Sequence, residues 1–293
     1  MGEGYLRILV LGASGMLGSA MMRVLSASRV HEVFGSFRSA GGVRHFSSLP
    51  AERLITGVDV ENTDALLQLF QRVKPDVVIN CIGLIKQLAQ ADDPLAVLPI
   101  NSLLPHRLAR LCGFAGARLV HVSTDCVFSG SKGLYTEQDV PDAGDLYGRS
   151  KLLGEVDYPH AITLRTSIIG EELDSSHGLV GWFLSQRQGV RGYTRAIFSG
   201  LPTFELARVI GEFVLPNQEL HGLYHVAAAP IAKYDLLQLV NSSYGKGIEI
   251  EPDDALVIDR SLNGSRFAAA TGYKAASWPE LIDGMRDFHM EKH

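Results

Sequence analysis

Residues 6–18 read Leu6-Arg-Ile-Leu-Val-Leu-Gly12-Ala-Ser-Gly15-Met-Leu-Gly18. A short apolar run stops at Gly12 and gives way to apolar positions at helical spacing, Met16, Leu17, Ala20, Met21, Val24 and Leu25. A strand therefore feeds a helix through a glycine turn. At such a turn the backbone N–H groups and the positive helix end can hold a pyrophosphate, and glycines let the chain approach it closely. The alternative is a tight strand-to-helix turn with no ligand.

Outward from this turn the same alternation repeats. Strand patterns cover 31–36, 53–58, 76–81 and 118–123, and helical patterns cover 64–73 and a long stretch from about 94 to 114. Strands alternating with helices predict a parallel sheet covered on both faces. After residue 165 the rhythm loosens, with a helix near 205–214, a strand near 223–227 and a helix near 231–240. The expected fold is α/β, a Rossmann-like doubly wound parallel sheet with a smaller C-terminal α/β substrate lobe. Residues 1–165 would form the first part and 166–293 the lobe, with the strand near 223–227 rejoining the main sheet.

Composition sets limits on the partners. Of 293 residues 46% are hydrophobic and 20% charged, with a net charge of −5, which is a globular composition and a poor footprint for nucleic acid. No window approaches the ~20 apolar residues of a spanning helix, and the first residues lack a cleavage-site pattern. A cytoplasmic protein without membrane partners is expected. Cys81, Cys112 and Cys126 have no CxxC spacing and read as reduced thiols, not as a zinc site or disulfide frame.

The glycine turn makes Gly12, Ser14, Gly15, Met16 and Leu17 candidates for the pyrophosphate of a dinucleotide. Asp59 and Val60 follow the third strand, where a carboxylate meets an adenine amino group. The second strand ends in Gly35-Ser-Phe-Arg38-Ser39, with no acid to bind a ribose 2′-hydroxyl. Arg38 there favours NADPH over NADH, unless it is a solvated loop cation. Tyr147-Gly-Arg-Ser-Lys151 puts a phenol and an ammonium on one helical face. The ammonium would pull the phenol toward a working pKa, unless the pair is a surface contact. Ser123, Thr124 and Asp125 end the fifth strand, on the edge where open α/β sheets bind ligands; one of the two hydroxyls is expected to cap the strand end.

With these pieces placed, the chain resembles the extended short-chain dehydrogenase/reductase superfamily, and within it the dTDP-4-dehydrorhamnose reductases. The resemblance covers nearly the whole chain. It rests on Gly12 to Gly18, Asp59-Val60, Asn80-Cys81-Ile82-Gly83, Ser123-Thr124-Asp125 with Val127-Phe128, Tyr147 to Lys151 followed by Leu-Leu-Gly-Glu155, Leu164-Arg165-Thr166-Ser167, and Asn263-Gly264-Ser265-Arg266. It implies that Thr124 partners a substrate carbonyl, Tyr147 donates the proton and Lys151 holds the cofactor ribose. Asn80, Cys81 and Gly83 would lie along the cofactor, and Arg266 would face a nucleotide diphosphate, if it is not a surface arginine.

Two departures from the family pattern carry information. Related dehydratases have Asp-Glu after the threonine, whereas this chain has Asp125-Cys126, which disfavours dehydration. Ala20 stands where some reductases carry a glutamate of a magnesium-linked dimer, so no metal is expected; a homodimer stays compatible. The segment 82–87 and the lobe 167–200 also depart from the usual pattern. The implied activity is NADPH-dependent reduction at C4 of a nucleoside-diphosphate 4-keto-6-deoxy sugar for polysaccharide biosynthesis. A C4 epimerase and a non-catalytic NADP-binding subunit, like the β subunit of methionine adenosyltransferase, are the alternatives.

Overall fold

The computed structural model describes residues 5–86 and 92–291; Gln87, the last residue of the departing segment, lies outside them. Seven strands, β1 (Arg7–Leu11), β2 (Glu32–Ser36), β3 (Leu54–Ile55), β4 (Val77–Asn80), β5 (Arg118–Thr124), β6 (Ala161–Thr166) and β7 (Gly222–His225), form one sheet. Its order is β7-β6-β5-β4-β1-β2-β3, with every neighbour parallel. This is the doubly wound Rossmann-like sheet the sequence predicts. The order reverses between β1 and β4, which is where such sheets bind dinucleotides.

Parallel strands with both faces covered are apolar throughout, and β1 shows why. Ile8 and Val10 pack into one core with Met21, Leu25 and Leu206, whereas Leu9 and Leu11 pack into a second with Leu66, Leu69, Leu104 and Leu108. Adjacent strand residues point to opposite faces, so one strand serves two cores. The helices around it are α1 (Met16–Ala27), α2 (Thr63–Val73), α3 (Pro94–Leu98), α4 (Leu104–Ala115) and α5 (Leu146–Leu153).

Several expected boundaries change. The helix expected over 94–114 is interrupted by a π turn at Pro99–Leu103, because Pro99 and Pro105 have no N–H for the helical ladder. The third strand is only Leu54–Ile55; it lies at the sheet edge, and Gly57, at φ +74°, turns the chain away. The helix expected at 205–214 starts at Thr203 and ends in a π turn, Ile210–Val214. Ile231–Ala232 pairs as a short strand ahead of the helix Lys233–Ser243.

The C-terminal part is interleaved with the sheet. Leu206, Ala207 and Ile210 return to the core beside α1, and β7 pairs with β6 in the register Tyr224↔Leu164. Short strands at Val190–Tyr193, Ala196–Phe198, Ile250–Asp253 and Ile258–Asp259 build the lobe beyond the sheet. No helix among the described residues is long and apolar enough to cross a membrane.

Candidate active site

Register places the site. Leu11 lies opposite both Ser36 and Asn80, and Asn80 lies opposite His121, so the glycine turn, the loop after β2, the turn after β4 and the end of β5 share one edge. In the glycine turn the Ala13 N–H donates to Ser36 O, and Gly12 has φ +79°. A methyl group at Gly18 would lie 2.0 Å from Gly12 O, so α1 can start this close to the turn only with glycine there. Gly15 caps α1 without a side-chain bond, and no acid occupies the first turn. The first N–H groups of a helix have no intrahelical acceptor, and at the start of α1 they remain as a cradle of donors for an anion. A dinucleotide pyrophosphate fits this cradle on the chemistry of its donors.

The rim of that cradle is ionic. Arg38 is exposed two residues beyond β2, and no hydrogen bond or ion pair holds it among the described residues. Asp59 is exposed in the turn after β3, accepting from the Glu61 N–H at 3.0 Å, and Val60 is half-buried beside it. The 3₁₀ turn Ala40–Phe46 seats Gly42 against Ser14, while its Arg44 and His45 both bond Asp174 of the lobe.

Behind the cradle, Asn80 pins the turn after β4. Its Oδ1 accepts from the Ile82 N–H at 3.1 Å, and its Nδ2 lies 3.2 Å from His121 Nδ1. Asn101, turned inward by the π turn, accepts from the Leu84 N–H at 2.9 Å and donates to Ser150 Oγ at 3.1 Å. A methyl group at Gly83 would lie 3.9 Å from Lys151 Nζ. Cys81 is held as a thiol: burial pushes its pKa to about 12, with the Lys151 ammonium opposing.

The strand end divides its hydroxyls between two faces. Ser123 Oγ donates to Glu155 Oε1 at 2.7 Å, away from the cleft. Thr124 Oγ1 donates to Asp125 Oδ1 at 3.2 Å and accepts from the Cys126 N–H at 3.1 Å, and the Thr124 hydroxyl lies close enough to the Tyr147 phenol to work against the rise in its pKa. Asp125 is buried, which raises its carboxyl pKa, with Arg260 opposing. Lys151 Nζ donates to Val122 O at 2.8 Å, and burial brings its pKa down to about 8, opposed by Glu155 and then Cys81.

One expectation is reversed. A neighbouring ammonium was to pull the Tyr147 phenol down, yet burial, then Cys126, pushes it above its ordinary value. The Lys151 ammonium is turned to a backbone carbonyl instead. The cation found near the Tyr147 ring is Lys86, 5.5 Å from its centroid and bonded to Asp145 Oδ2 at 2.6 Å. Asp145 also caps α5, its Oδ1 accepting from the Gly148 N–H at 2.7 Å. A phenol held protonated is a proton donor.

The helix that carries Tyr147 and Lys151 is seated on two glycines. A side chain at Gly148 would collide with Cys126 O, and one at Gly154 with Asn101 O. Pro105 cannot donate to Asn101 O, which leaves room for that approach.

The structure also places residues that sequence reasoning passed over. Arg260, from the lobe, donates to Phe128 O at 2.8 Å and to Cys126 Sγ at 3.7 Å. Arg266 is exposed, 4.8 Å over the Tyr224 ring on β7. Asn101 and Lys86 carry no sequence signal, whereas Asp145 does, as an N-cap residue ahead of a short helix. Among the described residues no group of three or more His, Cys, Asp or Glu could hold a metal ion.

A Rossmann-like sheet with a glycine cradle at its switch point and a Thr-Tyr-Lys set at the next strand end defines the class: an extended short-chain dehydrogenase/reductase. More narrowly, the chain belongs to the family described as RmlD substrate binding domain, which matches residues 6–255. Methionine adenosyltransferase 2 subunit beta of Xenopus tropicalis is 30% identical over 315 aligned residues, covering 94% of this chain and 89% of that one. A probable low-salt glycan biosynthesis reductase, Agl14 of Haloferax volcanii, is 32% identical over 178 residues, 59% of this chain. That match spans little more than half of the Haloferax protein, 57%. A solved structure, the hypothetical dTDP-4-dehydrorhamnose reductase from Sulfolobus tokodaii, superposes with a TM-score of 0.75 at 25% identity, covering 93% of this chain and 98% of that one.

Proposed function

We propose that the protein is an NADPH-dependent reductase of a nucleoside-diphosphate 4-keto-6-deoxy sugar, with residues 1–165 holding the cofactor and 166–293 the sugar nucleotide. The observation that carries this reading is the Thr124 hydroxyl at the end of β5 beside the Tyr147 phenol, with Lys151 one helical turn further on α5, on the sheet edge that also carries the glycine cradle. Bound NADPH would supply the hydride. Gly12, Ser14, Gly15, Met16 and Leu17 would hold its pyrophosphate, and Arg38 its 2′-phosphate. Asp59 and Val60 would flank the adenine side, and Asn80, Cys81 and Gly83 would line the other.

The chain's own part is proton delivery. Thr124 fixes the substrate oxygen, and Tyr147, kept protonated by burial, hands its proton to that oxygen as negative charge develops. The Lys151 ammonium, which donates to Val122 O, would hold the cofactor ribose with its remaining protons. Cys126, a thiol pushed up to about 11 by burial and then by Asp125, supplies no carboxylic acid for eliminating water. Free thiols at all three cysteines and a need for NADPH suit the cytoplasm, and reduced deoxy sugars suit polysaccharide assembly.

A panel of dTDP-, UDP- and GDP-linked 4-keto-6-deoxy sugars, followed by NADPH absorbance, tests the reading. Oxidation of NADPH with one of them supports it. Tight NADPH binding with no turnover on any would favour the second reading, a non-catalytic subunit, which the likeness to methionine adenosyltransferase 2 subunit beta over most of the chain supports.

A further inference from the structure

Asp174 of the lobe places a carboxylate beside the anion cradle, where the charge is least expected. Its Oδ1 accepts from Arg44 Nη2 and lies 3.0 Å from His45 Nε2, both on the 3₁₀ turn after β2. The segment that carries Asp174 begins and ends against α1. A methyl group at Gly170 would lie 3.6 Å from Met16 Cγ, and one at Gly178 would lie 2.7 Å from Met16 Cε. Met16 is the first residue of α1, so Asp174, at mid-segment, ties the helix start to the turn after β2. The 3₁₀ turn is itself folded back on the cradle. A methyl group at Gly42 would lie 2.8 Å from Ser14 Cβ in the glycine turn. One at Gly41 would lie 4.0 Å from Arg44 Nη1 and 3.9 Å from Ser39 Oγ. The Arg44 guanidinium therefore reaches from Asp174 back to the loop that carries Arg38 and Ser39. That loop is the end of β2, where a Rossmann-like sheet receives the adenosine ribose.

Exposed ion pairs stabilise a fold little, and Arg44 and Asp174 are both exposed. A carboxylate near a pyrophosphate cradle also repels the ligand. Its presence has a use if the cations it occupies are ones the ligand needs. A guanidinium fork fits carboxylate and phosphate alike, so a pair of cationic side chains that binds Asp174 is built to bind a phosphate in its place.

We propose that Arg44 and His45, with Arg38 and Ser39, form the site for the cofactor 2′-phosphate, and that Asp174 is an internal competitor for it. This role rests on the NADPH reading. A 2′-phosphate takes Arg44 and His45 from Asp174 and releases the lobe segment, whereas a ribose with a bare 2′-hydroxyl leaves the ion pair closed. Asp174 thereby acts as a selectivity gate, and the phosphate signals its arrival to the lobe.

Calorimetric titration with NADP⁺ and NAD⁺, which differ only in that phosphate, tests the gate. Asp174→Ala should bind NADP⁺ about two- to fivefold more tightly, the worth of an exposed ion pair, and bind NAD⁺ as the native protein does. Arg44→Met should bind NADP⁺ about tenfold more weakly, the loss of one charge-assisted bond. With Arg44→Met and His45→Gln combined, adding Asp174→Ala should change nothing further, because the two effects share one contact. Hydrogen exchange reads the native chain: saturation with NADP⁺, and not with NAD⁺, should speed exchange of the amides of 172–177. Unchanged or weaker NADP⁺ binding in Asp174→Ala, an equal gain for NAD⁺, or exchange that stays the same or slows, as in a strap clamped over the cofactor, each overturns the proposal. A native protein that binds neither dinucleotide rejects the NADPH reading along with it. The expected responses without reduction of any nucleotide sugar would keep the gate and reject the reductase reading.

Discussion

Replacing Gly18 by alanine tests whether the cradle depends on the close approach of α1 to the glycine turn. The new methyl group would lie 2.0 Å from Gly12 O, against 3.4 Å or more for an ordinary contact. The helix start and the turn must therefore separate by more than 1 Å, and both are backbone. Overpacking costs about 1–3 kcal/mol, and a backbone collision belongs at the upper end. Alanine in a helix regains up to about 1 kcal/mol over glycine. The net loss is about 2 kcal/mol, a melting temperature lower by about 4–8 °C for a chain of this size. Displaced N–H groups also lose charge-assisted bonds to a pyrophosphate, each worth about 1.5–3 kcal/mol, so NADPH should bind at least about tenfold more weakly. Gly15→Ala is the control, because its methyl would meet Gly12 O at 3.4 Å and should leave the melting temperature near native. Thermal denaturation and fluorescence titration with NADPH read both quantities. A Gly18→Ala protein that melts and binds like the native one would refute the steric argument.

Tyr147→Phe deletes only the hydroxyl, so folding and NADPH affinity should persist while kcat for reduction falls by about 10²–10⁴-fold; near-full turnover, where chemistry limits the rate, would remove Tyr147 as the acid. Arg38→Ala should weaken NADPH selectively and leave NADH almost unchanged, as measured by paired titrations; a native protein with equal affinity for both would refute the assignment. Because Lys151 is brought down to about 8, NADPH affinity should fall as pH rises through that value and its ammonium is lost, and a flat profile from pH 7 to 9 would count against its ribose role. Exhaustive EDTA treatment should leave activity intact, and loss with recovery on adding Mg²⁺ would reveal a metal site.

What was readable in the sequence is what depends on neighbours along the chain. The apolar run 6–11 and the glycines after it announce a buried strand and a helix start, since strand and helix periodicities are local. The residues at the ends of β1, β2, β4 and β5 meet because parallel strands bring their carboxyl ends to one edge, and this follows from topology alone. The surroundings of Tyr147 were hidden for the opposite reason. Its phenol is pushed up by burial beneath groups from other elements, and Lys86 reaches it from the turn after β4. Arg260 bonds Cys126 across 134 residues, a contact no spacing announces. The π turn was likewise hidden, because its prolines fit a helix start as readily as an interruption.

The seating of α5 on Gly148 and Gly154 bears on how this protein could change its substrate. A helix pressed against carbonyl oxygens at both ends can neither slide nor roll, so Tyr147 and Lys151 are fixed like jaws bolted to a bench. On the reductase reading, adapting to a larger or differently branched sugar then falls to the short strands and loops of the lobe. Drift in sequence should gather there and spare the helix, and a swap of the 167–200 stretch between relatives should move substrate choice while leaving the proton-transfer step where it is.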